Sequence, residues 1–287
     1  MAEAEVGIIG GTGLYDIEGM TEVKEILVKT PFGEPSDAII LGTLEGVGLA
    51  FLPRHGKGHR ISPTEVPARA NIYALKSLGV ERIISVNAVG SLKEEIRVLD
   101  LVIPDQLIDR TKTRISTFFG GGLVGHIAFA EPFCRVLSQV LFQIAQETGI
   151  RAHQGGTYVT MEGPQFSTRA ESELYRSWGG DVIGMTVLPE AKLAREAEIC
   201  YASLSFVTDY DCWHDTHEPV TPEMILSNLR QNVETAKEIL RRAITQLPEA
   251  RDCPCASALE TALITSPEHI PGQVKTDLEP LIRKYIK

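Results

Sequence analysis

Two acids frame the chemistry open to this chain. The stretch Ile199–Asp211, I-C-Y-A-S-L-S-F-V-T-D-Y-D, begins as an apolar, strand-forming run and closes on Asp209 and Asp211, one residue apart. A buried strand ending there sets carboxylates at the carboxyl edge of a sheet, where open α/β folds hold their ligands. Side chains at i and i+2 share a face while the chain stays extended. A pair so placed accepts hydrogen bonds from an exocyclic amine beside a protonated ring nitrogen. The same residues also suit a strand-end turn with two solvated aspartates, so the pair takes its meaning from what the rest of the chain brings to it.

Other strand ends bring groups that suit an oxyanion. Gly10-Gly11-Thr12-Gly13 follows the apolar run Val6–Ile9. Glycines there let backbone N–H groups approach an anion, and Thr12 adds a hydroxyl. The third glycine of a dinucleotide fingerprint is replaced by Asp16, and no Gly-Lys-Ser/Thr follows, so neither a dinucleotide site nor a nucleotide P-loop is expected. A tight structural turn fits equally well. Pro53–Arg60, P-R-H-G-K-G-H-R, concentrates basic and titratable groups in an acidic protein, and Arg54 is the residue type for forked contacts to phosphate. His55 and His59 would need a helix to act as paired metal ligands, which Gly56 and Gly58 oppose, so no metal is expected there. Asn87-Ala88 lies at another strand end, Phe166 stands in the loop before Thr168, and Met185-Thr186 closes a short strand. Hydroxyls, amides, one Arg and one His suit phosphate; an aromatic, a Met and twin acids suit a flat amino-bearing ring. Together they suggest a purine nucleoside and inorganic phosphate.

The elements needed to position these groups are legible. Strands are expected at Val6–Ile9, Ala38–Leu41, Leu49–Leu52, Arg82–Val86, Leu101–Ile103, Thr157–Met161 and Asp181–Gly184. Several are continuously apolar, as in strands covered on both faces. Ser62-Pro63-Thr64-Glu65 reads as a capping box opening a helix that runs to Leu78 and stops at Gly79. Glu131–Gly149 has Phe133, Leu137, Leu141, Ile144 and Ala145 at helical spacing. Thr168-Arg169-Ala170-Glu171 is a second box, and Thr221-Pro222 opens the longest helix, with Ile225, Leu229, Ala236, Ile239 and Leu240 on one stripe. Short helical pieces are expected at Ala256–Ile264 and Lys275–Ile286. Alternating strands and helices indicate an α/β sandwich in a single domain, with residues 1–250 as its body and 251–287 as a Pro- and Cys-containing helical tail packed on it.

Composition narrows the function classes. Of 287 residues, 43% are apolar and 23% charged, the balance of a globular protein. A net charge of −10 argues against nucleic-acid binding. No apolar run approaches the ~20 residues that span a bilayer, and the acidic start M-A-E-A-E lacks a signal-peptide pattern, so a cytoplasmic location is expected. The five cysteines, Cys134, Cys200, Cys212, Cys253 and Cys255, are odd in number. Cys253-Pro254-Cys255 is not the C-x-x-C of zinc or thioredoxin sites. Free thiols are expected, with a bridge left open.

The motifs G-I-I-G-G-T-G-L-Y-D, P-R-H-G-K-G-H-R, N-A-V-G-S-L, H-I-A-F-A-E-P-F-C, M-E-G-P-Q-F-S-T-R-A-E-S, I-G-M-T-V-L-P-E and V-T-D-Y-D-C-W occur in this order over roughly residues 5–245. In this the chain resembles the methylthioadenosine phosphorylases of the purine nucleoside phosphorylase superfamily. The resemblance implies a mixed central sheet flanked by helices, assembly as trimers or trimer pairs, and phosphorolysis of S-methyl-5′-thioadenosine. It implies no metal or organic cofactor, inorganic phosphate being a co-substrate. Phosphate would be held by Thr12, Arg54, His55, Asn87, Ala88 and Thr186. Met185 would face the ribose, Phe166 the base, and Asp209, Tyr210 and Asp211 the adenine edge, with Asp209 as acid. His126, Val220, Pro222, Ile225 and Leu226 would form the methylthio pocket, and Ser167 would tune the base pocket. Where the family often has Thr, this chain has Asn87. A 6-oxopurine or methylthioinosine phosphorylase is the nearest alternative, and the acid pair favours the aminopurine.

Overall fold

The structure, a computed structural model, describes residues 3–11, 14, 17–214 and 222–286, the side chains at 222–227 and 229–231 excepted. In chain order the strands and helices are β1 (Val6–Gly10), β2 (Thr21–Ile26), β3 (Ile39–Leu44), β4 (Val47–Pro53), α1 (Ala68–Ser77), β5 (Arg82–Ser91), β6 (Leu101–Ile103) and β7 (Gln106–Arg110). They continue with α2 (Arg135–Glu147), β8 (Ala152–Gln154), β9 (Thr157–Met161), α3 (Arg169–Ser177), β10 (Val182–Gly184), α4 (Val187–Glu196), β11 (Cys200–Asp209), α5 (Pro222–Gln246), α6 (Gly272–Asp277) and α7 (Glu279–Ile282).

The sheet is mixed and forks at β5. One edge of β5 pairs in parallel with β1, from Val6 opposite Arg82 to Ile9 opposite Ser85, and then antiparallel with β10 at Gly90 and Ser91. Its other edge runs parallel to β11, from Cys200 opposite Arg82 to Asp209 opposite Gly90, with a register shift between Val207 and Asp209. The carboxyl ends of β1, β4, β5 and β11 therefore share one rim, the usual ligand edge of such sheets, and β10, antiparallel to β5, brings its own carboxyl end back towards it.

Strand periodicity explains why the core has two halves. Side chains alternate between the faces of a strand. In β11, Cys200, Ala202, Leu204 and Phe206 enter one cluster with α2 and α5, while Tyr201 and Val207 enter another with α1 and α4. Every residue of β1 and β11 is buried, as continuously apolar strands require. Leu259, Ile270, Leu278, Leu281 and Ile282 of the tail belong to the same cluster as Ile9, Ile72 and Leu193.

Prolines moved several helix starts. The Glu65 carboxylate does accept from the Ser62 amide and hydroxyl, at 3.2 and 2.5 Å, yet α1 begins only at Ala68. Pro67 keeps Val66 out of the α region, so the box closes a turn instead. Pro132 acts likewise on Glu131, and α2 starts at Arg135 with Cys134 as its N-cap. In the tail, Pro254–Ser257 is a 3-10 turn followed by turns rather than a helix, and Pro280 divides the expected Lys275–Ile286 helix between α6 and α7. Thr168 and Glu171 form the reciprocal box as expected. Three strands escape a search for apolar runs: β2 is almost wholly exposed, β7 partly so, and β8 has three residues.

Candidate active site

A cavity of about 370 Å³ opens at the gathered rim, and Arg54 and Asp209 both line it. Asn87, Ala88, Met185, Thr186, Phe166, His55 and Asp211 line it too. Side chains far apart in sequence converge because each follows a strand end: Arg54 after β4, Asn87 late in β5, Met185 and Thr186 after β10, and Asp209 closing β11.

Arg54 is buried, with 3% of its surface exposed, and its charge is already balanced. Its Nε donates to Glu190 Oε1 at 2.5 Å and its Nη2 to Oε2 at 3.1 Å. Nη2 also donates to Ser85 Oγ at 2.6 Å, and Nη1 to the Val86 carbonyl at 3.2 Å. Burial opposes its charge, and Glu190 more than offsets that, so its pKa is raised. Of the five guanidinium N–H groups, one on Nη1 stays uncommitted among the described residues. The basic loop is therefore not a free positive patch: Lys57 pairs with Glu25 at 2.7 Å and Arg60 with Asp37 at 3.5 Å.

His55 and His59 stack, ring centroids 4.4 Å apart, in a glycine-broken loop and not on a helix. His55 Nδ1 lies 2.8 Å from the Ile61 carbonyl. A carbonyl only accepts, so Nδ1 carries the proton and Nε2 presents a lone pair. Burial, with the nearby Arg54 charge, pushes the pKa of His55 down to about 4.

Asn87 has a different task from the expected phosphate donor. Its Nδ2 donates to Ser203 Oγ at 2.8 Å and its Oδ1 accepts from Thr186 Oγ1 at 2.6 Å. It fixes the Thr186 hydroxyl, because its own amide hydrogens are directed to the Ser203 and Ser85 side of the sheet.

The acids sit where β11 stops being extended. Asp209 Oδ1 accepts from the Asp211 amide and Oδ2 from Thr208 Oγ1, both at 2.8 Å. Asp211 has a φ of 51°, so the chain turns there and brings its carboxyl back to the cavity. Burial raises the pKa of both. Gly90 makes room: a Cβ on it would meet Asp209 Oδ1 at 2.7 Å. Tyr210 does not join them. Its ring points to Trp213 and His214, at 5.9 and 4.8 Å, on the other side of the chain. Ser167 is not on the cavity wall either; its hydroxyl lies close enough to Asp211 to favour the ionised carboxyl.

His126 departs from expectation. It is exposed and does not line the cavity, since its backbone is held by the tail, with its amide donating to the Ala262 carbonyl at 2.9 Å. Thr12 and Val220 lie outside the described residues, as do the side chains of Pro222, Ile225 and Leu226.

Three residues were missed. Glu190 is the buried partner of Arg54. Arg114 donates to the Met185 and Leu188 carbonyls at 2.5 and 2.7 Å and to Glu162 Oε1 at 3.1 Å, tying the ends of β9 and β10 together. Asn232 lines the cavity, and its Nδ2 has no partner among the described residues. Glu190 closes the quoted motif I-G-M-T-V-L-P-E, but nothing local marks it as the counter-ion of a residue 136 positions away.

The geometry has matching company. A model described as the phosphorylase superfamily matches residues 5–245. The S-methyl-5′-thioadenosine phosphorylase of Koribacter versatilis is 57% identical, covering 99% of this chain and 97% of its own. A crystal structure of a methylthioadenosine phosphorylase from an antarctic soil metagenomic library superimposes with a TM-score of 0.93 at 48% identity, covering 98% and 99% of the two chains. A mutant of the adenosine/methylthioadenosine phosphorylase from Schistosoma mansoni, in complex with methylthioadenosine, gives 0.79 at 41% identity over 84% of this chain and 91% of that one.

Proposed function

Since the chain belongs to the phosphorylase superfamily, we propose that it cleaves S-methyl-5′-thioadenosine with inorganic phosphate. The products are adenine and 5-methylthioribose 1-phosphate. The observation that carries this is the shared cavity: Arg54 and Asp209 open into one space, at opposite chemical ends.

The C1′–N9 bond lengthens first and leaves positive charge on the ribosyl ring. Phosphate, held against C1′, stabilises that charge and then forms the new C1′–O bond; fixing it there supplies proximity. It lies at the Arg54 end, on the uncommitted Nη1 hydrogen and the backbone at Ala88, and the Thr186 hydroxyl turns its proton from Asn87 Oδ1 onto it. With its Nε2 unprotonated, His55 accepts from a protonated phosphate oxygen. The leaving base takes the electron pair of the broken bond and a proton at N7. Asp209 supplies that proton, its burial keeping the acid form available above the ordinary carboxylate range. Asp211 accepts from the 6-amino group, Met185 lies against the ribose and Phe166 against the base.

No organic cofactor takes part in this scheme. The working form is a homo-oligomer, trimeric or hexameric. Supporting that is an exposed apolar pair on one face: Val124 and Ile264, 49% and 62% exposed, joined by a 2.9 Å backbone hydrogen bond.

Incubation with phosphate and methylthioadenosine, adenosine or methylthioinosine tests the assignment. Phosphate-dependent release of adenine from methylthioadenosine is the expected result. Release of hypoxanthine from methylthioinosine with none of adenine would replace it with a 6-oxopurine specificity.

A further inference from the structure

Four of the five cysteines meet on the opposite end of β11 from the acids. Cys134 caps the N-terminus of α2, Cys200 is the first residue of β11, and Cys253 and Cys255 flank Pro254 in the tail. Their four Sγ atoms all lie within 4.8 Å of one another. Cys134, Cys200 and Cys255 are buried, at 2–3% exposure, and Cys253 is half-buried. Cys212 stands apart, with its thiol on the Ser167 carbonyl.

We propose that these four cysteines bind one zinc ion as a structural tetrathiolate site. A tetrahedron with Zn–S bonds of about 2.3 Å has sulfur–sulfur edges of about 3.8 Å, inside the observed spread. Four soft sulfur donors with no oxygen or imidazole among them select a thiophilic metal in tetrahedral geometry. No other ligand is needed, so the site is closed and carries no open position for catalysis.

The surroundings suit the charge. Four thiolates around a divalent ion leave a net charge of about −2. Arg82 and Arg251 rim the small hollow lined by Cys134, Cys200 and Cys253. Both are fixed: Arg82 donates to the Pro248 carbonyl at 2.6 Å and Arg251 to the Glu198 carbonyl at 2.7 Å. The Cys134 amide is tied to the Tyr201 carbonyl at 2.8 Å, which holds the cap of α2 beside β11. Binding is a proton exchange: four S–H bonds give up four protons to solvent and four Zn–S bonds form, with no oxidant required. Two disulfides from the same sulfurs would instead require removal of four electrons.

The site joins three segments distant in the chain. It clamps the start of the tail to the sheet and α2, and the tail contributes Leu259, Leu278 and Leu281 to the core. Ligands taken from three distant segments leave no spacing motif, which is why the C-P-C pair alone did not signal metal.

The test uses the full chain, purified with a thiol reductant and no chelator, then offered zinc and dialysed. About one equivalent of zinc per chain is expected, released by an organomercurial titration. Cobalt(II) substitution should give the visible bands and near-ultraviolet charge transfer of a tetrahedral thiolate complex. Cys253→Ser, at the least buried ligand, should retain less than about a tenth of that zinc and lower Tm, while Cys212→Ser keeps the full equivalent. Freshly reduced protein that binds no zinc, with all its thiols titrating freely, overturns the proposal. So does an as-isolated protein whose intact mass is short by two hydrogens per bridge and which takes up no zinc after reduction. Neither readout depends on the catalytic reading.

Discussion

Arg54 and Glu190 form a two-pronged ion pair sealed inside the protein, with Nε–Oε1 at 2.5 Å and side chains 4% and 2% exposed. Removing either partner strands a buried charge, which typically costs about 3–5 kcal/mol. Arg54→Ala and Glu190→Ala should each destabilise by about that much in urea unfolding, and the double variant by clearly less than the sum. Arg54→Lys keeps the charge but loses the fork. It should raise KM for phosphate about tenfold or more while KM for the nucleoside stays within about twofold. Additive single effects would mean the two side chains do not act as a pair.

Asp209 is held by Thr208 and by the Asp211 amide, so its carboxyl can change chemistry without losing its place. Asp209→Asn is nearly isosteric and cannot protonate the leaving base. It should lower kcat by about 10²–10⁴, the usual worth of a positioned acid, with Tm little changed. Burial raises the pKa, and the acid form is the working form, so kcat should fall as pH rises through a value above the ordinary carboxylate range. A variant that keeps near-normal kcat removes Asp209 from the acid role.

The parts of this molecule that sequence reading reached are those encoded locally. The apolar run ending at Asp209 is a strand because its own residues favour one, and the rim position of Arg54 follows from the run before it. What escaped is encoded by pairs distant in the chain. Asn87 has the right chemistry for a phosphate donor, and only its neighbours Ser203 and Thr186 reveal that it orients a hydroxyl instead. Tyr210 sits between two cavity acids in sequence and faces away from them in space. Strand β2, T-E-V-K-E-I, is held by pairing with β3 at a solvated edge, so hydrophobicity gives no sign of it. Helices started later than expected where a proline, Pro67 or Pro132, kept the residue before it out of the helical region.

His55 makes the native state sensitive to acid. Burial pushes its pKa down to about 4 in the fold, against an ordinary value of 6.5. Between those values the unfolded chain holds the extra proton and the native state does not, so stability falls as pH drops from 6.5 towards 4. The raised carboxyls of Asp209 and Asp211 act in the opposite sense. The difference between wild type and His55→Gln isolates the histidine. Unfolding midpoints measured across this range in phosphate-free buffer should fall less steeply for the variant. Parallel slopes would mean that the ring is solvated and titrates normally.

Asn232 offers the cavity a donor that no described residue uses. It is 3% exposed, and Nδ2 has no acceptor among the described residues. One helical turn earlier, Asn228 donates to the Thr208 carbonyl at 2.7 Å, which fixes α5 against the end of β11 and aligns Asn232 with the cavity wall. A buried amide left unpaired costs about 1–3 kcal/mol, so keeping it is worthwhile only if a bound ligand supplies the acceptor. Asn232→Ala should therefore leave the free protein as stable or slightly more so, and weaken binding of one substrate by roughly tenfold. Separate KM measurements for phosphate and nucleoside identify which substrate it meets. If the variant loses stability with both KM values unchanged, the amide is a packing group and not a ligand contact.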